Sequence, residues 1–301
     1  MKNTTILGLL ATAGFSQAAI LVDGTLDSDY GSALATQSVE TQFGDSAGGF
    51  SGGGELDAAY ARVQGGRLFV MLTGNIEPNF NKVSIFIDSK AGGENTLVSQ
   101  DYDFGNVANN LAGLTFDSGF AADYHLFGRW GGGAFELEFV DRDNGSTTPT
   151  VFEGDASTGS GTAVQSGTIS GTTIDFGFNN NNSAGVAGGT AAADQIAAAA
   201  VTTGLEFSID LADLGSPTGD IRIFAGYGNG DHNFWSNQIL GGLPADTGNL
   251  GGDGAGGFTG NSGGVDFNNY GGDQFFTVTV PEPSTALLGG LALLGLLQRR
   301  R

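Results

Sequence analysis

The side chains able to do chemistry in this 301-residue chain are mostly carboxylates: 32 Asp and Glu stand against 11 Lys and Arg, two His and no Cys. Without cysteine there can be no thiol nucleophile, thiolate metal site or iron–sulfur cluster. His125 and His232 are too few for a multi-histidine metal centre, and neither sits in an H-E-x-x-H or G-x-S-x-G context. His125 falls mid-strand between Tyr124 and Leu126, whereas His232 reads as a solvated loop residue near Trp235. The glycine-rich stretch 251–257 lacks the Lys-Ser/Thr of a phosphate loop. Glycoside hydrolysis would need two carboxylates at a fixed separation, and no pair stands out among so many acids. The expectation is a protein without catalysis, with an extracellular polysaccharide hydrolase as the last alternative.

Two binding chemistries fit the side chains better. Calcium takes six to eight oxygens from Asp, Asn and carbonyls on turning loops. Three stretches offer them: Asp23 with Asp27 and Asp29, Asp101 with Asp103 and Asn106, and Asp141 with Asp143 and Asn144. None fits the EF-hand spacing, and the same residues also read as turn formers that cap loops through their own side chains. A sugar site needs a flat aromatic beside amides or carboxylates. Trp235, with Phe234, Asn233, Asn237, Gln238 and Asp231, combines them on a stretch expected to be a loop, and Trp130 and Tyr227 are secondary candidates. The competing reading places these rings in the core.

The elements that must position such residues are short strands punctuated by glycine. The clearest hairpin runs through Tyr60-Ala61-Arg62-Val63, turns at Gln64-Gly65-Gly66 and returns along 67–73 as a nearly continuous apolar run. Further strands are expected at 20–22, 39–43, 56–63, 82–88, 111–116, 123–130, 134–140, 172–178, 204–211, 221–227 and 274–280. In 134–140 strict alternation marks a half-exposed strand. Residues 141–170 read as a long loop or weak edge strands, and 191–201, rich in alanine, as the one helix. The fold class is therefore all-β, an antiparallel β-sandwich of jelly-roll type with one short helix.

Three segments organise the chain: a signal peptide over 1–18, a sandwich domain over 19–280 and a terminal segment over 281–301. Lys2, the apolar run from Ile6 to Phe15 and the small residues of Ser16-Gln17-Ala18 predict signal-peptidase cleavage after Ala18, with Ala19 as runner-up. Four of the 11 basic residues and one of the 32 acids lie in the terminal segments, so the body keeps 7 against 31 and carries close to −24. That charge excludes nucleic acid as a partner. An exported body without cysteine must be held by its core or by bound ions. Its 54 glycines come with 22 Phe, the mark of many turns between strands.

At the C-terminus, Pro281-Glu282-Pro283 precedes an uncharged stretch from Thr285 to Leu297 and then Arg299-Arg300-Arg301. The stretch is shorter than the roughly 20 residues of a permanent span, and the arginines favour the cytoplasmic side. These residues describe a transient membrane anchor. Their order resembles the PEP-CTERM sorting signal of Gram-negative bacteria. The resemblance implies export, a brief inner-membrane stage, cleavage near Pro-Glu-Pro by an exosortase, and delivery to the cell surface or an extracellular matrix.

Within the body, Val22-Asp23-Gly24 with Leu26-Asp27, the arm 68–72, Ile85-Phe86-Ile87-Asp88, and 206–211 with Leu214-Gly215 resemble in their order the DOMON-like sandwiches related to family 9 carbohydrate-binding modules. The resemblance implies an antiparallel sandwich, often sugar-binding; the glycine-rich 141–170 and 241–273 segments depart from it. The function expected is a surface or matrix protein that binds exopolysaccharide, with a calcium-dependent structural adhesin as the alternative.

Overall fold

The computed structural model describes residues 19–43, 53–142, 151–154, 162–169 and 171–281. Ala18, Asp143, Asn144, Glu282, Pro283 and the arginines Arg299, Arg300 and Arg301 lie outside them. Among the described residues no helix is long and apolar enough to cross a membrane.

Among the described residues thirteen strands form two antiparallel sheets. In chain order they are β1 (Ala35–Thr36), β2 (Glu55–Gln64), β3 (Arg67–Asn75), β4 (Lys82–Asp88), β5 (Tyr124–Gly131), β6 (Ala134–Asp141), β7 (Val151–Gly154), β8 (Thr162–Ile169), β9 (Thr172–Asn179), β10 (Gly204–Asp210), β11 (Ile221–Gly228), β12 (Trp235–Leu240) and β13 (Phe276–Val278). The first sheet runs β1-β2-β3-β10-β9-β8 and the second β12-β11-β4-β5-β6-β7, with β13 pairing β11 as well. This is the expected all-β sandwich.

Period-two alternation builds the interior. Val83, Ile85 and Ile87 of β4 meet Leu126, Phe135, Leu137 and Phe139 of the same sheet and Val70, Phe176 and Phe207 of the other in one continuous core. The hairpin β2–β3 closes through Gly65 and Gly66 at φ +60° and +84°, the left-handed pair that a two-residue hairpin loop demands. Part of the outer face of each sheet is covered as well. Over the outside of the first sheet, Ile20 and Tyr30 pack on Tyr60 and Met71. Over the outside of the second, residues 97–122 and 243–267 supply Leu97, Leu111, Phe116, Leu250 and Phe267 against Phe86, Phe127 and Phe224.

Five expectations change, the first being that residues 20–22 form no strand and the stretch makes only an isolated bridge at Thr25. Val39 and Thr41 make only isolated bridges, to Ala192 and Gly188. Residues 111–116 are irregular apart from bridges at Thr115. The helix shrinks to α1 (Gln195–Ala199), capped by the Asp194 side chain. Its expected first turn is drawn into tertiary backbone bonds instead, with Glu40 N–H donating to Ala191 and Ala193 N–H to Ser38, so packing overrides propensity. Trp235 to Gln238, expected in a loop, lie in β12.

The strap over the first sheet hangs on one buried carboxylate. Glu206 Oε2 accepts from the N–H groups of Asp23 and Gly24 at 2.9 and 3.0 Å, and Tyr30 Oη donates to Oε1 at 2.8 Å. Gly177 lets the strap sit this close: a Cβ there would stand 2.4 Å from the Asp23 carbonyl carbon. Burial pushes Glu206 up to about 7 despite its three donors. A folded value above the ordinary 4.5 means stability from this group is complete below 4.5 and lost as pH rises through 7. Glu206→Gln should therefore flatten the fall in melting temperature between pH 4.5 and 7, measured by circular dichroism.

Candidate functional site

The side chains that gather outside the second sheet do so because alternate residues of β4, β5 and β6 point there. Lys82 opens β4 opposite Arg129 of β5, and Arg129 stands opposite Glu136 of β6. Glu138, two residues on, shares their face. Alone, that face would be the solvated side of a half-exposed sheet. Here the turn 102–111 and the loop between β11 and β12 lie over it and take the charges out of water.

Asp103 is the centre. Its side chain is fully buried and is touched by Lys82, by Arg129 and by His232 Nε2 at 3.1 Å, while its own backbone neighbour Phe104 N–H donates to Oδ1 at 2.7 Å. Lys82 also donates to the Gly230 carbonyl, and its Nζ lies 5.4 Å from the centroid of the Phe127 ring. Arg129 further engages Glu136 and approaches Glu138 Oε1 to 3.0 Å. That last contact is a charge pairing without hydrogen-bond alignment. Beside the cluster His125 Nδ1 meets Tyr102 Oη at 2.7 Å, and the imidazole stacks on Phe86 at 4.0 Å.

Burial and neighbouring charge set the protonation. Burial would raise Asp103, but His232 and Lys82 outweigh it and hold the carboxyl well below its usual range. Burial pulls the Lys82 ammonium down. Glu138 is pushed up to about 7 by burial and then by the Asp103 charge. His232 falls to about 4 through burial and the nearby Lys82, and His125 sinks well below the usual imidazole range through burial and His232. Both histidines are therefore neutral near neutral pH.

The cluster floors a cleft of about 630 Å³ whose mouth holds Phe80, Phe104, Asn79, Asn81, Asn229 and Asp231. Phe104 is 88% exposed and Phe80 46%. Phe80, Asp103 and His232 all adopt positive φ, at +68°, +65° and +54°. Such conformations cost of order 1–3 kcal/mol and gather at functional sites. Phe80 is held there by its N–H on the Trp130 carbonyl and by its ring lying over Gly131, where a Cβ would come within 2.5 Å of it.

The sequence-derived sites are redistributed. Asp231 lines the cleft and Asp103 its floor, but Trp235 is 1% exposed, edge-on to Phe224 beneath the cover layer. Asn237 and Gln238 are equally buried. Asn237 Nδ2 donates to the Glu40 and Thr247 carbonyls at 2.7 and 2.9 Å, and Gln238 Oε1 accepts from Leu56 N–H at 3.2 Å, so both serve to pin neighbouring loops. The Trp235 sugar platform is therefore corrected: a strand, not a loop, carries it inward. Trp130 packs against Phe178, and Tyr227 Oη accepts from Glu77 N–H.

Two of the calcium sets also come apart, since among the described residues no three His, Asp or Glu side chains converge to hold a metal; Asp143 and Asn144 of the third lie outside those residues. Asp23 Oδ1 accepts from Thr25 N–H, Asp27 Oδ2 accepts from Leu21 N–H, and the Asp29 carbonyl accepts from Arg62. Asp101 accepts from Asn109, Asp103 is committed to its cations, and Asp141 lies 3.7 Å from Lys90. His232, expected in solvent, is buried. Lys82, Arg129, Glu136, Glu138, Phe80 and Phe104 were not singled out by sequence. Their signal was faint but present: of only seven basic residues in the body, one opens a strand and another lies near the end of the adjacent one.

Removing Arg129 would leave Asp103, Glu136 and Glu138 short of positive charge in a dry site. Breaking a buried pair this way costs about 3–5 kcal/mol, so Arg129→Ala should lower the urea midpoint correspondingly.

The PEP-CTERM protein-sorting motif matches residues 279–301. No curated protein and no solved structure matches the chain. With the motif beginning where β13 ends, the sandwich is the cargo of a PEP-CTERM tail, exported and sorted by an exosortase to the cell surface.

Proposed function

We propose that the body is a non-catalytic surface or matrix protein that binds exopolysaccharide in the cleft between Phe80 and Phe104, and that an N-terminal signal peptide cleaved after Ala18 starts its export. The observation carrying this reading is a pair of exposed aromatic rings at the mouth of a cleft rimmed by three asparagine amides. Rings cover the apolar faces of a sugar, and amides bond its hydroxyls in both directions. The volume lies in the range of small-ligand sites.

The non-catalytic part is supported by how the carboxylates are engaged. Asp103 is surrounded by donors, Glu136 is bound to Arg129, and Glu138 is buried beneath them. A glycosidase pair must instead face each other across room for the scissile bond. The likeness to DOMON-like modules rests on motif order, and the cleft is argued from its own residues.

Phe104→Ala touches a ring lying in solvent and should leave folding intact while weakening binding to the producing cell's exopolysaccharide about tenfold, or ~1.4 kcal/mol. Affinity electrophoresis reads this directly; wild-type migration unchanged by the polysaccharide would end the proposal. A chain ending before Pro281 should lose its surface location in cell fractionation. An unaltered distribution would show that the tail does not direct it.

A further inference from the structure

An exported protein without cysteine cannot be braced by disulfides. The Asp103 cluster contains the parts of another covalent brace, and the inference from them is independent of whether the cleft binds sugar. Lys82, 2% exposed, holds Nζ directly against Asp103 Oδ2. The two residues belong to different layers, β4 and the turn that covers it. Close by is Glu138, 1% exposed, whose two oxygens accept no hydrogen bond among the described residues. The Phe127 ring flanks the amine. A buried amine, a carboxyl group in contact with it and a second carboxyl group that accepts no hydrogen bond are a nucleophile, an electrophile and a proton carrier.

We propose that Lys82 and Asp103 condense to an intramolecular isopeptide bond, with Glu138 carrying the proton. Lys82 gives one proton of its ammonium to the Glu138 carboxylate, and the freed lone pair attacks Asp103 Cγ. Arg129, on Oδ1, draws electron density from a group that is otherwise a poor electrophile and holds the charge that builds there. The nitrogen loses a second proton to Oδ2, Glu138 returns the first, and Oδ2 departs as water. One C–N bond forms and one C–O bond breaks. Ammonium and carboxylate become amide and water, with no oxidant or reductant required.

The setting favours the proton transfer from Lys82 and the loss of the buried charges. Burial lowers Lys82 and raises Glu138 to about 7, which brings the two groups nearer to sharing a proton than free side chains would be. Condensation removes one positive and one negative charge from a site where each carries a desolvation cost. The product ties the cover turn to β4 and so locks the layer that walls the cleft.

Trypsin mapping of the exported full chain tests this, because an amide on Lys82 cannot be cut. Denatured protein should yield residues 68–90, uncut after Lys82, joined to residues 91–129, and the species should weigh one water less than the two peptides together. Asp103→Asn should give the same junction with loss of ammonia. Glu138→Gln should leave most of the chain unjoined while circular dichroism stays native. Free peptides 68–82 and 91–129 from the folded wild type overturn the proposal, and full joining in Glu138→Gln overturns the role given to Glu138.

Discussion

A carboxylate that has been taken out of water must be answered in place, and at Asp103 that requirement ties the second sheet to everything lying on it. Lys82 comes from β4, Arg129 from β5 and His232 from the loop before β12. None reaches Asp103 unless its strand is in register and the cover turn is closed. The cost of leaving such a charge uncompensated is several kcal/mol, a large share of a domain's net stability of roughly 5–15 kcal/mol. The cluster thus acts as a check on assembly: sheet, turn and loop satisfy one another together.

That dependence explains which parts were legible in sequence. The β2–β3 hairpin announced itself through Gly65-Gly66 between apolar runs, and β4, β5, β9, β10 and β11 through local composition. These are properties of neighbours along the chain. The alternation of β6 was also visible, but its meaning was not. Glu136 and Glu138 look like the wet side of a half-exposed strand until residues about thirty positions earlier in the chain fold over them. Covering loops carry no period, so the third layer left no pattern to read.

The same cause moved Trp235. Its run of Ser, Asn and Gln has the composition of a loop, yet in β12 the Asn and Gln amides are spent on the backbone of residues 39, 40, 42 and 56. Sequence can count donors and acceptors; it cannot assign their partners. His232 was misread for a related reason, since a glycine- and asparagine-rich stretch promises solvent and here turns at positive φ to bring an imidazole onto Asp103.

The tail and the body then make complementary demands. The PEP-CTERM motif sends the chain outside, and a body near −24 stays apart from anionic surfaces. At the cleft Lys82 and Arg129 are answered by Asp103 and Glu136 beneath two aromatic rings, and Asp231 is the exposed charge at the mouth. Phe80 is fixed against Gly131 by its strained backbone, whereas Phe104 stands free in solvent. One ring is pre-positioned and the other can adjust, a division that keeps the ordering cost of binding to a single side chain. The buried charges below contribute rigidity to that arrangement, and for the sugar proposed above shape and hydroxyl pattern would decide what the cleft accepts.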